Sequence, residues 1–366
     1  MNRENFTIGI EEEYMICDPI SGEMINKADG IISKLHNSLS NRFSYELLLS
    51  EIESNTSICN NVDEVIEKIA SNRQLLADIG IKENYSIGVS GTHPTANPEQ
   101  QNFVNNESYN WVSQNLQYYA RQNITFALHV HIGFSNNEEL IHVCNGLRRW
   151  IAPLLALSAN SPFFNSIYTG FKSSRTIQFG LFPRTGIPVE FKSYSHFEKI
   201  VETLMINESI AKPRHLWWKV RPHMDFGTIE FRMFDVQRSF DNTYMLTALS
   251  QALCYVALNE YKKGLLTEKF NFEYLDDALW KASRFNIDTI VYDEATDSHL
   301  PIRNLILLML QYAKPGLEYF NNVKVIELVN KVLSNGTEGD MQYFYYKKNN
   351  DSFDKLKQYL IKNVEY

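Results

Sequence analysis

The sequence predicts an α+β protein in which helices cover a sheet, with an α/β arrangement left open by periodicity alone. Three observations point there. Segments rich in β-branched and aromatic residues fall at 6–18, 44–55, 85–92, 124–134 and 228–236. Helical patterns of unequal length and spacing separate them. No internal repeat, low-complexity tract or Pro/Gly/Ser linker divides the chain, which shows only a mild enrichment in asparagine. One continuous domain over residues 1–366 is expected, with 300–366 as a C-terminal helical extension packed on it.

In the first strand-like segment a period of two puts Glu11 and Glu13 on one face with Gly9. Glu12 falls on the other face with Ile8, Ile10, Tyr14 and Ile16. Two carboxylates on one face repel unless a cation lies between them, one is protonated, or both reach solvent as an acidic edge. Glu12, on an apolar face, needs an Arg or Lys partner and reads as structural. In 44–55, Glu51, Glu53 and Asn55 share a face that Glu46 joins only through a bulge; a half-solvated strand is the alternative. The helix expected at 62–79 carries Val62, Val65, Ile66, Ile69, Leu76 and Ile79 on its apolar stripe, with Gly80 as its stop. Further helices are expected at 139–157, 240–261, 273–284, 302–313 and 324–333.

The run 124–134 contains His129-Val130-His131, which projects both imidazoles from one face, as a shared metal or phosphate site requires. A strand histidine satisfied within the core is the alternative. His93, in Gly91-Thr92-His93-Pro94, reads as a loop residue supporting the site. In 228–236, Thr228, Glu230, Arg232 and Phe234 share a face. Its carboxylate suits a metal and its guanidinium a phosphoryl group, unless the two simply pair with each other. Arg221 and Arg175 are further candidates for anionic groups or plain surface charges.

Among 366 residues, 44% are hydrophobic and 21% charged, enough to bury a sizeable core. The formal net charge of −8 argues against a nucleic-acid partner. The dispersed Cys17, Cys59, Cys144 and Cys254 form no C-x-x-C pair, which fits a reducing cytoplasm. No apolar run approaches the ~18 residues of a membrane span, and no signal core opens the chain. Neither a P-loop nor G-x-G-x-x-G is present, so a bound nucleotide would depend on metals and arginines.

Phe6-Thr7-Ile8-Gly9-Ile10-Glu11-Glu12-Glu13, Gly91-Thr92-His93-Pro94, His129-Val130-His131-Ile132-Gly133, Ser158-Ala159-Asn160-Ser161-Pro162, Ser173-Ser174-Arg175, Arg221-Pro222 and Gly227-Thr228-Ile229-Glu230-Phe231-Arg232 together resemble the bacterial carboxylate-amine ligases. These form the type 2 glutamate-cysteine ligase family, distant relatives of glutamine synthetase. Ala278-Leu279-Trp280 and Asn335-Gly336-Thr337 extend the likeness. The resemblance implies a glutamine synthetase-type catalytic domain: a curved, mainly antiparallel sheet holding ATP and Mg2+ or Mn2+, in a homodimer. It implies that Glu13, Glu46 and Glu53 hold one ion, and that Glu11, His129 and Glu230 hold the ion nearer the nucleotide. Arg232 would contact the transferring phosphoryl group, with Arg221, Arg175 and His131 as further phosphate or carboxylate contacts. The sequence departs from the family at Lys219, where an acid usually precedes Val-Arg-Pro, and at His223-Met224-Asp225, which replaces a proline-containing stretch. Glu51 is an additional unusual acid.

The implied reaction joins a carboxylate, glutamate or similar, to cysteine or another amine through an acyl phosphate, under a lid expected at 163–188. Two other readings use the same residues: a metal-dependent amidohydrolase or phosphoesterase without ATP, and a catalytically silent nucleotide-binding relative.

Overall fold

The computed structural model describes residues 5–35, 39 and 41–366. The sheet is built around the ten-residue strand β1 (Ile8–Cys17). Its neighbours are β2 (Phe43–Ser44), β3 (Glu51–Asn55), β4 (Ser86–Gly88) and β5 (Ala127–Gly133). A separate hairpin, β6 (Phe163–Phe164) with β7 (Ile167–Tyr168), precedes the last two sheet strands, β8 (Val220–His223) and β9 (Thr228–Asp235). The order is β2-β3-β1-β5-β9-β8, with β4 on the C-terminal end of β1, and every pairing is antiparallel. The α+β expectation of a mainly antiparallel sheet covered by helices holds.

The central strands β1, β5 and β9 pack one row of apolar side chains against helices. Ile8, Ile10, Leu128, Val130, Ile132, Ile229 and Phe231 form the apolar face, packed beneath helices Asn137–Leu147, Ile151–Ser158, Phe240–Lys262 and Ile302–Tyr319. At about 1.5–3 kcal/mol for each fully buried large apolar side chain, this face anchors the sheet and leaves the opposite row free to carry charge. Glu12 falls within the apolar face, and Arg73 meets it at 2.8 Å with both side chains fully buried. Arg73 also donates to the carbonyls of Gln237 and Arg238, each at 2.7 Å, so its charge is fully paired.

Several boundaries differ from the sequence-based expectation. Helix Val62–Glu83 continues past Gly80 to an Asn84 cap in the left-handed conformation (φ 55°). Gly80 serves close packing instead, because a Cβ there would lie 2.5 Å from the Tyr85 carbonyl oxygen. Gly80→Ala is expected to cost about 1–3 kcal/mol through overpacking, read as a lowered midpoint in urea. The helix expected at 139–157 is broken by a 3-10 turn at Arg148–Trp150, ahead of Pro153, whose missing N–H cannot close the continuous ladder. The helix expected to end at 313 runs on to Tyr319 with Pro315 inside it.

Residues from 302 onward form four helices, and their side chains enter the body of the fold. Glu338 accepts hydrogen bonds from the backbone N–H of Arg238 (2.8 Å) and Ser239 (2.9 Å), and from the Asn160 amide (3.0 Å). Cys17, Cys59, Cys144 and Cys254 are free thiols, all buried. No described helix is long and apolar enough to cross a membrane.

Candidate active site

The polar face of the sheet is assembled by register. Glu11 lies opposite His129 across β1 and β5, Glu13 opposite Glu53 across β1 and β3, and Glu230 opposite both His131 and Arg221 across β5, β9 and β8. A cavity of about 730 Å³ opens over this face, lined by Glu11, Glu13, Glu46, Glu53, His129, Arg175, Arg221 and Arg232 among others. Glu230 and His131 are buried beside these lining residues, against Arg221, Arg232 and Glu11. The register of β5 and β9 slips between Leu128 and Val130, which face Phe234 and Phe231. This bulge turns Phe234 into the core, parallel to Phe231, and keeps Arg232 in the cavity. Strict alternation had put Phe234 on the polar face.

Glu11, His131 and Glu230 offer ligand atoms that all lie within 4.8 Å of one another. Arg221 Nε donates to Glu230 at 2.7 Å and Arg232 Nη1 binds its other oxygen. Burial alone would raise the Glu230 pKa, but Arg221, Arg232 and His131 hold it well below the usual range. Glu11 is likewise depressed, burial being overcome by His131 and by hydrogen bonds from both histidines. Burial works against a charged His131, yet Glu230 and Glu11 push its pKa up. Its Nδ1 is 2.9 Å from Thr228 Oγ1, which turns Nε2 towards Glu11 (3.4 Å) and Glu230 (3.8 Å).

The second group, Glu13, Glu46 and Glu53, also brings ligand atoms within 4.8 Å. Ser44 Oγ (2.5 Å) and the Asn55 amide (3.0 Å) donate to Glu53, and the Ala127 N–H donates to Glu13 at 2.6 Å. Mutual repulsion is not balanced here. Burial lifts Glu13 to about 7, against Arg175 and with Glu53 adding to the rise. Burial together with Glu13 and Glu53 lifts Glu46 well above its ordinary value; burial and Glu11 lift Glu53. Glu51, also buried, is raised by burial and Glu13, and one of its carboxylate oxygens has no hydrogen-bond partner. Glu46 arrives on the turn between β2 and β3, since residues 45–50 leave the strand expected across 44–55.

His129 stands between the groups. Its Nδ1 is 3.1 Å from Glu11 and 3.9 Å from Glu230, while Nε2 is 3.8 Å from Glu13 and has no hydrogen-bond partner. Burial and Arg232 push its pKa down to about 3, so the ring is neutral and aims an unused lone pair at the second group. Glu11 and Glu230 thus have both imidazoles beside them, His131 in the three-ligand group and His129 with Nδ1 at 3.1 and 3.9 Å.

Asp235, at the end of β9, anchors the segments that lead into Arg175, whose backbone N–H donates to Ser161 Oγ at 3.1 Å. It accepts from Ser161 Oγ (2.7 Å), Ser173 Oγ (2.9 Å) and the Asn160 N–H (2.8 Å), tying both serine motifs to the sheet. Gly91 is required beside it, since a Cβ there would sit 2.6 Å from the Asp235 carboxyl carbon. Arg175, on helix Ser174–Phe179, donates to the Arg232 carbonyl at 3.2 Å from each terminal nitrogen, and its Nε is unpartnered. Lys219 is buried without a hydrogen-bond partner 5.6 Å above the Phe179 ring; burial and Arg175 lower its pKa to about 7. His93 fastens the Gly22 carbonyl (2.9 Å) and does not line the cavity.

The segment 163–188, where a lid is expected, contributes Arg175, Phe179 and Phe182 to the cavity lining and is tied down at its N-terminal part. Phe163 is buried against Tyr346, and Lys172 and Ser173 donate to the Ser283 carbonyl at 2.8 and 3.1 Å. Sequence reasoning also missed Asp235 and the wall residues Tyr109, Phe182, His215 and Trp217. Asp235 is the next acid after Glu230 on a legible strand, but the wall residues sit on separate stretches of helix and loop that no spacing connects.

Residues 7–354 match the profile of glutamate-cysteine ligase family 2. A protein from Solibacter usitatus, provisionally named glutamate–cysteine ligase 2, is 30% identical over 365 residues, covering 100% of this chain and 94% of its own length. A similarly named protein from Sorangium cellulosum is 31% identical over 345 residues, covering 94% and 92%. The structure of Francisella tularensis glutamate–cysteine ligase in complex with AMP superposes with a TM-score of 0.75 at 12% identity, over 99% of this chain and 88% of that one. A bifunctional glutathione synthetase from Pasteurella multocida gives 0.65 at 13% identity, over 98% and 53%. The chain belongs to glutamate-cysteine ligase family 2 and is a carboxylate-amine ligase.

Proposed function

We propose that the chain uses ATP to activate glutamate or a similar carboxylate as an acyl phosphate and transfers the acyl group to an amine. The observation that carries this reading is the convergence of two three-ligand groups and four arginines at one cavity. AMP in the Francisella tularensis structure of the same fold supports a nucleotide as partner. Two negative unit charges ~4 Å apart repel by about 4 kcal/mol at an effective dielectric of ~20, so a carboxylate approaching a triphosphate needs fixed positive charge.

The donor set fits divalent cations. Glu13, buried, and the half-buried Glu46 and Glu53 converge with raised pKa values, and His129 Nε2 has no hydrogen-bond partner. Glu13, Glu46 and Glu53 would hold one Mg2+ or Mn2+, and Glu11 and Glu230 with His131 or His129 another. When bound, such ions neutralise phosphate oxygens and developing charge during transfer. Arg232, held by Glu230, grips the transferring phosphoryl group; Arg175 and Arg221 orient the anionic ends of the substrates. The carboxylate oxygen attacks the γ-phosphorus and ADP leaves. The amine nitrogen then bonds to the acyl carbon and gives up a proton, and inorganic phosphate departs with the electrons of the broken C–O bond.

Incubation with ATP, Mg2+ and a panel of carboxylate and amine pairs tests this. Amide and ADP are expected together only when both substrates are present, and ADP no greater than the single-substrate controls for every pair contradicts it. Thr228 fixes the His131 ring, so Thr228→Val is expected to weaken Mn2+ binding about tenfold, measured by titration without turnover.

A further inference from the structure

Resting on that ligase reading, we infer that Lys219 sets the affinity of the site for phosphate. Standing behind Arg175 and Arg232, where an acid would neutralise them, it leaves both guanidiniums for a dianion, the phosphoryl group transferred and then released as phosphate. The ladder of β8 and β9 runs one residue beyond β8. Val220 faces Phe231, and the Arg232 N–H donates to the Lys219 carbonyl at 2.8 Å, so Lys219 and Arg232 lie directly opposite with their side chains on the same face. Arg175 arrives on helix Ser174–Phe179. The three cations surround one ring: the Phe179 centroid is 5.7 Å from the Arg175 guanidinium, 5.6 Å from Lys219 Nζ and 6.0 Å from the Arg232 guanidinium. Arg175, Phe179 and Arg232 line the cavity, and Lys219, 2% exposed, is enclosed behind them.

Buried cations are ordinarily answered by acids or hydrogen-bond acceptors, and these three keep unanswered donors. Arg175 Nε, Arg232 Nε and Lys219 Nζ are all buried without a hydrogen-bond partner. Asp235 attracts Lys219, but its oxygens are already taken by Ser161, Ser173 and the Asn160 N–H. Glu230 is shared between Arg221 and Arg232. With Glu11 and Glu13 given to metal ions, four cations, Arg175, Arg221, Arg232 and Lys219, face two acids, Glu230 and Asp235, an excess of two positive charges. A carboxylate with one negative charge matches a single guanidinium, whereas a phosphate dianion matches the excess and offers tetrahedral oxygens to donors from separate elements. Like charges opposite each other on a ladder destabilise the empty site, and the dianion relieves that repulsion. Burial and then Arg175 lower the Lys219 pKa to about 7, and a neighbouring dianion restores the charge its surroundings oppose.

The test titrates inorganic phosphate, and acetate as a monoanion, into the full chain loaded with Mg2+, beside an assay of amide synthesis. Lys219→Met keeps the length of the side chain and removes its charge. It is expected to weaken phosphate binding about tenfold and acetate binding about threefold, since a dianion feels one lost charge twice. Lys219→Glu, which gives both arginines a buried counter-charge, is expected to weaken phosphate about a hundredfold. Because the amine makes no hydrogen bond, the Lys219→Met protein should unfold in urea at a midpoint no lower than the parent, which separates lost binding from lost fold. Phosphate affinity that neither variant changes, or phosphate and acetate weakened by the same factor, overturns the inference, and ATP-dependent amide formation by the parent then leaves the ligase reading standing. Absence of amide with every substrate pair overturns both.

Discussion

Glu230→Gln is expected to lose turnover by at least about 10³-fold and to destabilise the fold by about 3–5 kcal/mol. Both effects come from the same carboxylate. Glu230 is fully buried, binds Arg221 at 2.5 Å through Nη2 and at 2.7 Å through Nε, and holds Arg232 with its second oxygen. A neutral amide leaves two buried guanidiniums with less than their charge in return, and it removes an anionic donor facing His131 and Glu11. Denaturant unfolding and steady-state kinetics on one preparation check the pair of effects. Near-normal turnover would remove Glu230 from the reaction, and unchanged stability would remove its structural role.

Glu53→Gln is expected to show the opposite sign in stability. Its amide oxygen still accepts from Ser44 and Asn55, while one charge leaves a group whose pKa values are all raised. The metal-free variant should therefore unfold at higher temperature than the parent at pH 8, yet lose at least about 10²-fold in turnover. The linkage sign follows from proton counts. Between the unfolded carboxylate pKa and the raised folded value, about 7 for Glu13, the folded state binds more protons than the unfolded chain. Stability from these groups is present at low pH and is lost as pH rises through that window. Glu11 and Glu230, with depressed values, contribute stability that is lost only in stronger acid. Metal-free protein should thus melt lower at pH 8 than at pH 5.5, and added Mg2+ or Mn2+ should raise the midpoint more at pH 8. A midpoint that rises with pH in the metal-free parent, or a metal effect larger at pH 5.5, would contradict this.

Much of this was legible in the sequence wherever strict alternation rules. β1, β5 and β9 carry Glu11, Glu13, His129, His131, Glu230 and Arg232 at spacings that a period of two converts directly into a shared face, and Glu12 announces its buried cation in the same way. The readings fail where the backbone breaks period. The bulge in β9 reverses Phe234, and the turn before β3 delivers Glu46 from outside any strand. β8 is four residues long with Pro222 inside, too short and too proline-marked to read as a strand, yet it places Arg221 against Glu230. Which histidine lies nearest which carboxylates depends on ring rotation, set here by Thr228 for His131 and Glu11 for His129, and spacing carries no information about it. The cavity wall at Tyr109, Phe182, His215 and Trp217 depends on loops meeting in space.

The most direct measurement follows oxygen. A carboxylate substrate labelled with ¹⁸O in its reacting group, incubated with enzyme, ATP, Mg2+ and an accepted amine, should deliver one labelled oxygen to the inorganic phosphate released with each amide. Amide formed alongside unlabelled phosphate would contradict activation through an acyl phosphate.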